Sequence, residues 1–260
     1  MDTARLFDLK GKTAIVTGGG NGIGKASSKM LAAFGANVVV SDYKEEAANA
    51  VVQEIEKDGG SASAIICDVT KDEDLVNLVT KTLALYEHIH ILVNNVGGGG
   101  AGQEDPFKIE VAQFARVFEM NVFSMWRLCQ LVAPHMKISG YGSIINMSSM
   151  ASINSSPAIS AYASSKAAIN HMTRNLAFDF GPQIRINAIG PGAIHTDALA
   201  TVLTPDIEKK MLAHTPLARL GQPNDIAGAV LYFASPVSNW VSGQVLFVNG
   251  GGVQTLDQSN

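Results

Sequence analysis

Cysteine is almost absent. Cys67 and Cys129 are too few for a disulfide framework or a thiolate zinc site, and a reducing, cytoplasmic setting is expected. The histidines His88, His90, His135, His171, His195 and His214 show no metal-ligand spacing, so no metal is expected. Basic residues are scarce: 19 Lys and Arg face 23 Asp and Glu, with no basic run interleaved with aromatics. A nucleic acid is therefore not expected as the partner. No run reaches the roughly 18 apolar residues of a membrane span, and Met1–Lys12 lacks the apolar stretch of a secretory signal. No Pro/Ser-rich linker, repeat or low-complexity block divides the chain, and residues 1–260 are expected to form one domain.

What is abundant is aliphatic. Short apolar runs occur at Thr13–Thr17, Asn37–Ser41, Ser63–Cys67, Ile89–Val93, Ser143–Met147, Arg185–Ile189 and Gln244–Val248. Between them lie stretches with helical apolar spacing, such as Lys44–Asp58, Lys71–Glu87 and Asn224–Ala234. This alternation predicts βαβ units: an α/β fold with a parallel sheet and helices on both faces. The least regular stretch, 194–215, contains Thr204-Pro205 and Thr215-Pro216 and is a candidate substrate lid.

The first run ends in Thr17-Gly18-Gly19-Gly20-Asn21-Gly22-Ile23-Gly24, and a helical stretch follows. Glycines at 18, 22 and 24 allow a tight turn and let a diphosphate approach the backbone, at a helix N-terminus that favours anions. The second run leads into Asp42, eighteen residues after Gly24. A carboxylate there can accept from ribose hydroxyls and repels a 2′-phosphate, so NAD is expected over NADP. The alternative is an aspartate that caps the next helix. Asp68-Val69, after the third run, is either an adenine contact or an ordinary turn.

The most informative motif is Tyr162-Ala163-Ser164-Ser165-Lys166, with Ser149 thirteen positions upstream. Residues four apart on a helix share a face. A free phenol ionises near pH ~10. A lysine ammonium ~4 Å away, at an effective dielectric of ~20, favours the phenolate by roughly 4 kcal/mol, enough to bring the phenol towards ~7. That is the working range of a general acid–base, and a serine hydroxyl on the same volume can hold the oxygen that gains or loses the proton. Ser148 is the rival to Ser149.

Together with Asn94-Asn95-Val96-Gly97, Asn121 and Pro191-Gly192-x3-Thr196, these motifs resemble the short-chain dehydrogenase/reductase family from Lys10 to Gly251. The resemblance implies a doubly wound seven-stranded sheet in the order 3-2-1-4-5-6-7. It implies Tyr162 as general acid–base and Lys166 as the residue that lowers its pKa and binds the nicotinamide ribose. Ser149 then binds the substrate oxygen, and the main chain of Asn121 holds a relay water. Gly18, Asn21, Gly22, Ile23, Gly24, Asp42, Asp68, Val69, Asn95, Gly97, Pro191, Gly192, Ile194 and Thr196 line the NAD. Val96 stands where the family usually has alanine, and Asn249 where it usually has aspartate, the latter without expected consequence for catalysis.

Further segments, among them Asn121-Val122-Phe123-Ser124, Thr196-Asp197-Ala198-Leu199 and Val241-Ser242-Gly243-Gln244, resemble the branch that oxidises hydroxysteroids and bile acids at the 7α-hydroxyl. Gly99, in the run Gly97–Gly100, is placed to admit a bulky substrate, although the run also suits a plain flexible loop. In Met150–Ser160, Asn154 joins Ile153, Pro157 and Ile159 as candidate flanks of an apolar ligand, against the alternative of an ordinary surface loop. The resemblance also implies a homotetramer, with Trp240 and the last strand between subunits. The expected activity is hydride transfer between NAD(H) and a secondary alcohol or ketone. A 3-oxoacyl thioester reductase, a sugar or polyol dehydrogenase and a non-catalytic dinucleotide sensor are the alternatives.

Overall fold

Seven strands form one parallel sheet: β1 (Thr13–Thr17), β2 (Asn37–Asp42), β3 (Ser61–Ile66), β4 (Ile91–Asn94), β5 (Gly142–Met147), β6 (Ile184–Pro191) and β7 (Val245–Val248), in the order β3-β2-β1-β4-β5-β6-β7. The structure is a computed structural model that describes residues 6–99, 104–200, 203–213 and 215–252. Gly100, His214 and the end of the chain from 253 lie outside the described residues. The helices are α1 (Gly22–Ala33), α2 (Glu45–Lys57), α3 (Asp72–Tyr86), α4 (Val111–Phe118), α5 (Ser124–Ser139), α6 (Ser160–Phe180), α7 (Asp197–Ala200), α8 (Pro205–Ala213) and α9 (Pro223–Ala234). No described helix is long and apolar enough to cross a membrane.

The central strands β1, β2 and β4 carry apolar runs because both faces of the sheet are buried there, whereas the edge strands β3 and β7 are partly exposed. Ala14, Val16, Val38, Val40, Ile91 and Val93 pack with Leu31, Val51, Ile55, Val230 and Phe233 of α1, α2 and α9. The alternate residues Ile15, Val39, Leu92, Ile144 and Ile186 pack with Leu75, Leu78, Leu128, Val132 and Ile169 of α3, α5 and α6. With the faces of its central strands filled, the sheet offers room for chemistry along its rims. The chain reverses its winding direction between β1 and β4, which opens a crevice at the C-terminal rim.

The element boundaries move by one or two residues from the sequence expectation. The stretch 194–215 holds α7 and α8. Thr204-Pro205 is a helix start. Thr204 Oγ1 accepts from Ile207 N (3.3 Å) and Pro205 opens α8.

The N-terminal rim carries buried polar groups of its own. The Arg185 guanidinium donates to Phe233 O (3.0 Å) and Ser235 O (3.4 Å), placing a cation at the C-terminus of α9. His90 accepts from Thr13 N through Nδ1 (3.1 Å), a bond that needs the neutral ring, and burial pushes its pKa down to about 4. The unfolded state therefore takes up the proton first as pH falls. The contribution of His90 is complete above pH 6.5, its ordinary value, and is lost progressively towards pH 4, up to about 3 kcal/mol. In His90→Gln, urea unfolding between pH 4 and 6.5 should show a flatter dependence of stability on pH. Parallel curves for the two proteins would refute this account.

Candidate active site

β1 runs into a turn where Gly18 (φ 60°) and Gly22 (φ 51°) hold left-handed conformations. At Gly24 even a Cβ is excluded, since it would lie 2.0 Å from Gly18 O. Asn21 caps α1, accepting from Gly22 N (2.8 Å), and donates through Nδ2 to Asp197 Oδ2 (2.9 Å). The N–H groups of Ile23 and Gly24, in the first turn of α1, have no intrahelical partners and suit an anion.

Asp42 is buried at the end of β2. Its Oδ2 accepts from Gly20 N and its Oδ1 from Lys44 N, each 3.0 Å. It does not occupy the N-cap position of α2, which falls on Lys44. Its carboxylate holds the glycine turn and keeps further acceptor positions. Asn95 braces the same turn from β4, donating to Thr17 O (3.0 Å) and Gly18 O (3.2 Å). Val96 reaches it too: its Cγ2 lies 3.1 Å from where a Gly18 Cβ would be. Asp68 is engaged locally, accepting from Thr70 N (3.1 Å) and Thr70 Oγ1 (2.7 Å), bonds that lower its pKa, while Val69 is buried behind it.

The second half of the site forms where β5 ends. Ser148 turns into the scaffold, its Oγ donating to Lys166 O (3.2 Å). Ser149 caps the 3₁₀ turn Met150–Ser152, accepting from Ala151 N (3.1 Å), and its hydroxyl faces the Tyr162 phenol closely enough to favour the phenolate. The structure thus separates the two serines. Lys166, one turn along α6, is 2% exposed and donates from Nζ to Met147 O (2.8 Å). Burial pulls its pKa down to about 8. A Cβ at Gly97 would lie 2.6 Å from that nitrogen, so a larger residue there would require the ammonium to shift.

Burial pushes the Tyr162 pKa up, and the Ser149 hydroxyl supplies the opposing influence. The Lys166 Nζ turns to the Met147 carbonyl and stands 5.7 Å from the Tyr162 ring centre.

Asn121 lies in a π-helical turn, Glu119–Phe123, between α4 and α5. Its buried amide accepts from Gly98 N (2.9 Å) and donates to Gly98 O (2.9 Å) and Ser165 Oγ (2.8 Å). Ser165 Oγ in turn donates to Tyr162 O (2.7 Å). This network ties the glycine run after β4 to the Tyr162 helix. Gly99 lies against Tyr162, 3.5 Å separating its virtual Cβ from Tyr162 Cβ. Asn154 is half-buried just beyond the 3₁₀ turn, its N–H donating to Met150 O (3.1 Å).

On the other side, β6 ends at Pro191, Gly192 N donates to Val248 O (3.0 Å), and buried Ile194 bridges to Gly221. Thr196 packs against Gly22. Asn249 suits its position as an amide: Oδ1 accepts from Gly251 N (3.1 Å) while Nδ2 donates to Gly252 O (2.6 Å), which a carboxylate could not do. A cavity of about 200 Å³ lined by Ile194, Thr215, Leu217, Leu220 and Val248 contains neither Ser149 nor Tyr162. His195 is exposed, and burial pushes both cysteine thiols up to about 12. Trp240 is fully exposed on this chain.

Three supporting residues escaped the sequence reading. Thr17 Oγ1 accepts from Asn95 N (3.1 Å), Ser165 carries the relay between Asn121 and Tyr162 O, and Glu104 bonds the start of α6. The first two lie inside recognised motifs, which was signal enough to question them. Nothing in the sequence singles out Glu104. Replacing Asn121 with alanine leaves Gly98 N–H and C=O without this buried partner, and should cost about 2–3 kcal/mol in urea unfolding. A cost below about 0.5 kcal/mol would show that the amide does not hold the turn.

A family model described as enoyl-(acyl carrier protein) reductase matches residues 18–252. The chain is 52% identical over 250 residues to 7alpha-hydroxysteroid dehydrogenase of Escherichia coli (strain K12), covering 96% of this chain and 97% of the relative. It is 39% identical to the 7alpha-hydroxysteroid dehydrogenase of Clostridium sardiniense, over 94% of each chain. The solved structure of a 7 alpha-hydroxysteroid dehydrogenase complexed with NADH and 7-oxo glycochenodeoxycholic acid superposes with a TM-score of 0.94 at 51% identity, over 99% of this chain and 100% of that one.

Proposed function

The chain belongs to the short-chain dehydrogenase/reductase family, and on that footing we propose that it transfers a hydride between NAD(H) and the 7α-hydroxyl of a hydroxysteroid or bile acid. It is an oxidoreductase acting on CH–OH groups. The observation that carries the substrate reading is the likeness, over nearly the whole of both chains, to relatives with that activity.

The residues present fit a dinucleotide. The turn at Gly18–Gly24 is a cradle that a Cβ would fill, and the buried Asp42 carboxylate keeps acceptor capacity beside it. Gly18, Asn21, Gly22, Ile23 and Gly24 would hold the diphosphate, and Asp42 the adenosine ribose. Asp68 and Val69 would lie towards the adenine, the Asp68 carboxylate keeping acceptor positions beyond its bonds to Thr70. Asn95, Gly97, Pro191, Gly192, Ile194 and Thr196 would line the nicotinamide half. Bound NAD supplies the hydride acceptor.

The protein's part is proton transfer and positioning. Tyr162, as phenolate, takes the hydroxyl proton of the substrate at Oη. Ser149 holds the same oxygen through its hydroxyl. Lys166, buried and held by Met147 O, supplies the positive charge that stabilises the tyrosinate, and with Tyr162 holds the cofactor ribose. The main chain of Asn121 would hold the water that passes the proton outward. Gly99 and Asn154 would line the substrate side. Residues 194–215 would act as a lid, within one catalytic domain of a cytoplasmic homotetramer.

The test is NAD reduction measured across bile acids that differ only in hydroxyl position, with 3-oxoacyl thioesters and polyols as controls. A 7α-hydroxyl should be required, and Tyr162→Phe should lose about 10²–10⁴ in turnover while still binding NADH. Turnover that ignores hydroxyl position, or a Tyr162→Phe enzyme near parental rate, would overturn the reading. Asp42→Asn keeps an acceptor for Gly20 N but removes the charge. It should raise NADP use relative to NAD by about tenfold in kcat/KM, and an unchanged ratio would dissociate Asp42 from the ribose.

A further inference from the structure

Glu104 is a buried carboxylate, 8% exposed, for which the chemistry above has no use. It lies between β4 and α4 in sequence, yet it bonds the start of α6. Its Oε2 accepts from Ala161 N (2.8 Å) and its Oε1 from Tyr162 N (3.2 Å), while its own N–H donates to Ala158 O (3.1 Å). Three hydrogen bonds therefore join one residue to the turn 158–162.

Nothing local does this work. Ile159 occupies the N-cap position of α6 and makes no side-chain cap bond. Ala158, just before it, holds a left-handed φ of 58°, a conformation that a non-glycine residue keeps only where its surroundings impose it. A carboxylate that accepts two amide hydrogens at a helix N-terminus is a favourable, charge-assisted arrangement. The charges nearby are otherwise engaged: Asp105 pairs with Lys108 (3.1 Å), and the Lys166 ammonium turns to Met147 O. Among the described residues no ion pair involves Glu104.

We propose that Glu104 is a positioning residue for Tyr162: its carboxylate clamps the first turn of α6 and so fixes the backbone from which the phenol reaches Ser149. The proposal rests on the reading of Tyr162 as the acid–base. Because Tyr162 N is itself one of the two clamped groups, loss of the clamp displaces the reacting oxygen directly. Glutamine keeps the shape but replaces one acceptor with an NH₂ that would face an N–H. Aspartate keeps the charge on a shorter arm.

The test compares Glu104→Gln and Glu104→Asp with the parent in the full chain, by amide hydrogen exchange of peptides spanning 158–165 and by steady-state kinetics. In Glu104→Gln, exchange there should rise about tenfold with the sheet unchanged. Its kcat should fall about 10- to 100-fold while the KM for NAD stays within about twofold. Glu104→Asp should recover a large part of both. Unchanged exchange in Glu104→Gln, or faster exchange with unaltered kcat, would overturn the proposal. So would a loss of protection throughout the sheet, which would mark the residue as part of the general scaffold. If the parent turns over no 7α-hydroxysteroid, the functional reading fails by itself, and the exchange measurement still decides whether the clamp exists.

Discussion

The site is organised around a buried ammonium that has one carbonyl to hold it. Lys166 donates to Met147 O, at the last residue of β5, and burial depresses its pKa. A cation in that position costs free energy unless its remaining donors find acceptors. Its neighbours are shaped by this requirement. Nζ stands 2.6 Å from where a Gly97 Cβ would lie, and Ser148 donates to the Lys166 carbonyl. The Asn121 amide then locks the glycine run and the Tyr162 helix together. The position of Lys166, one turn along the helix from Tyr162, is thus set by its burial and by the Met147 carbonyl.

Much of this was legible in the sequence, and for physical reasons. A parallel sheet buried on both faces must be written as short apolar runs, and β1, β2 and β5 were. A diphosphate cradle must be written in glycine, and the sterics at Gly24 explain why. What was not legible depended on approach across the fold. Glu104 meets α6 across 57 residues of sequence and belongs to no spacing pattern. The amide of Asn121 was visible, but its bonds to Gly98 follow from a π-helical turn that residue preferences do not encode. The four-residue spacing of Tyr162 and Lys166 was read correctly as one helix face, yet spacing says nothing of burial, and burial dominates the phenol.

The glycine turn shows the same division. Its backbone was foreseen, but not the way it is held. Asp42 grips Gly20 N, Asn95 grips two carbonyls, and Asn21 reaches across to Asp197 at the head of α7. The residues nominated to meet a dinucleotide are thus the ones that keep its seat in shape beforehand, which reduces the ordering that binding would otherwise require.

The two rims of the sheet carry separate duties. Ser149, Tyr162 and Lys166 gather at the ends where strands finish, while His90 and Arg185 secure the ends where strands begin. A strand the length of β1, five residues, spans about 16 Å, beyond the distance at which substitutions usually interfere with one another. Substitutions at His90 or Arg185 should therefore combine additively with substitutions at the opposite rim, leaving each set open to selection without disturbing the other.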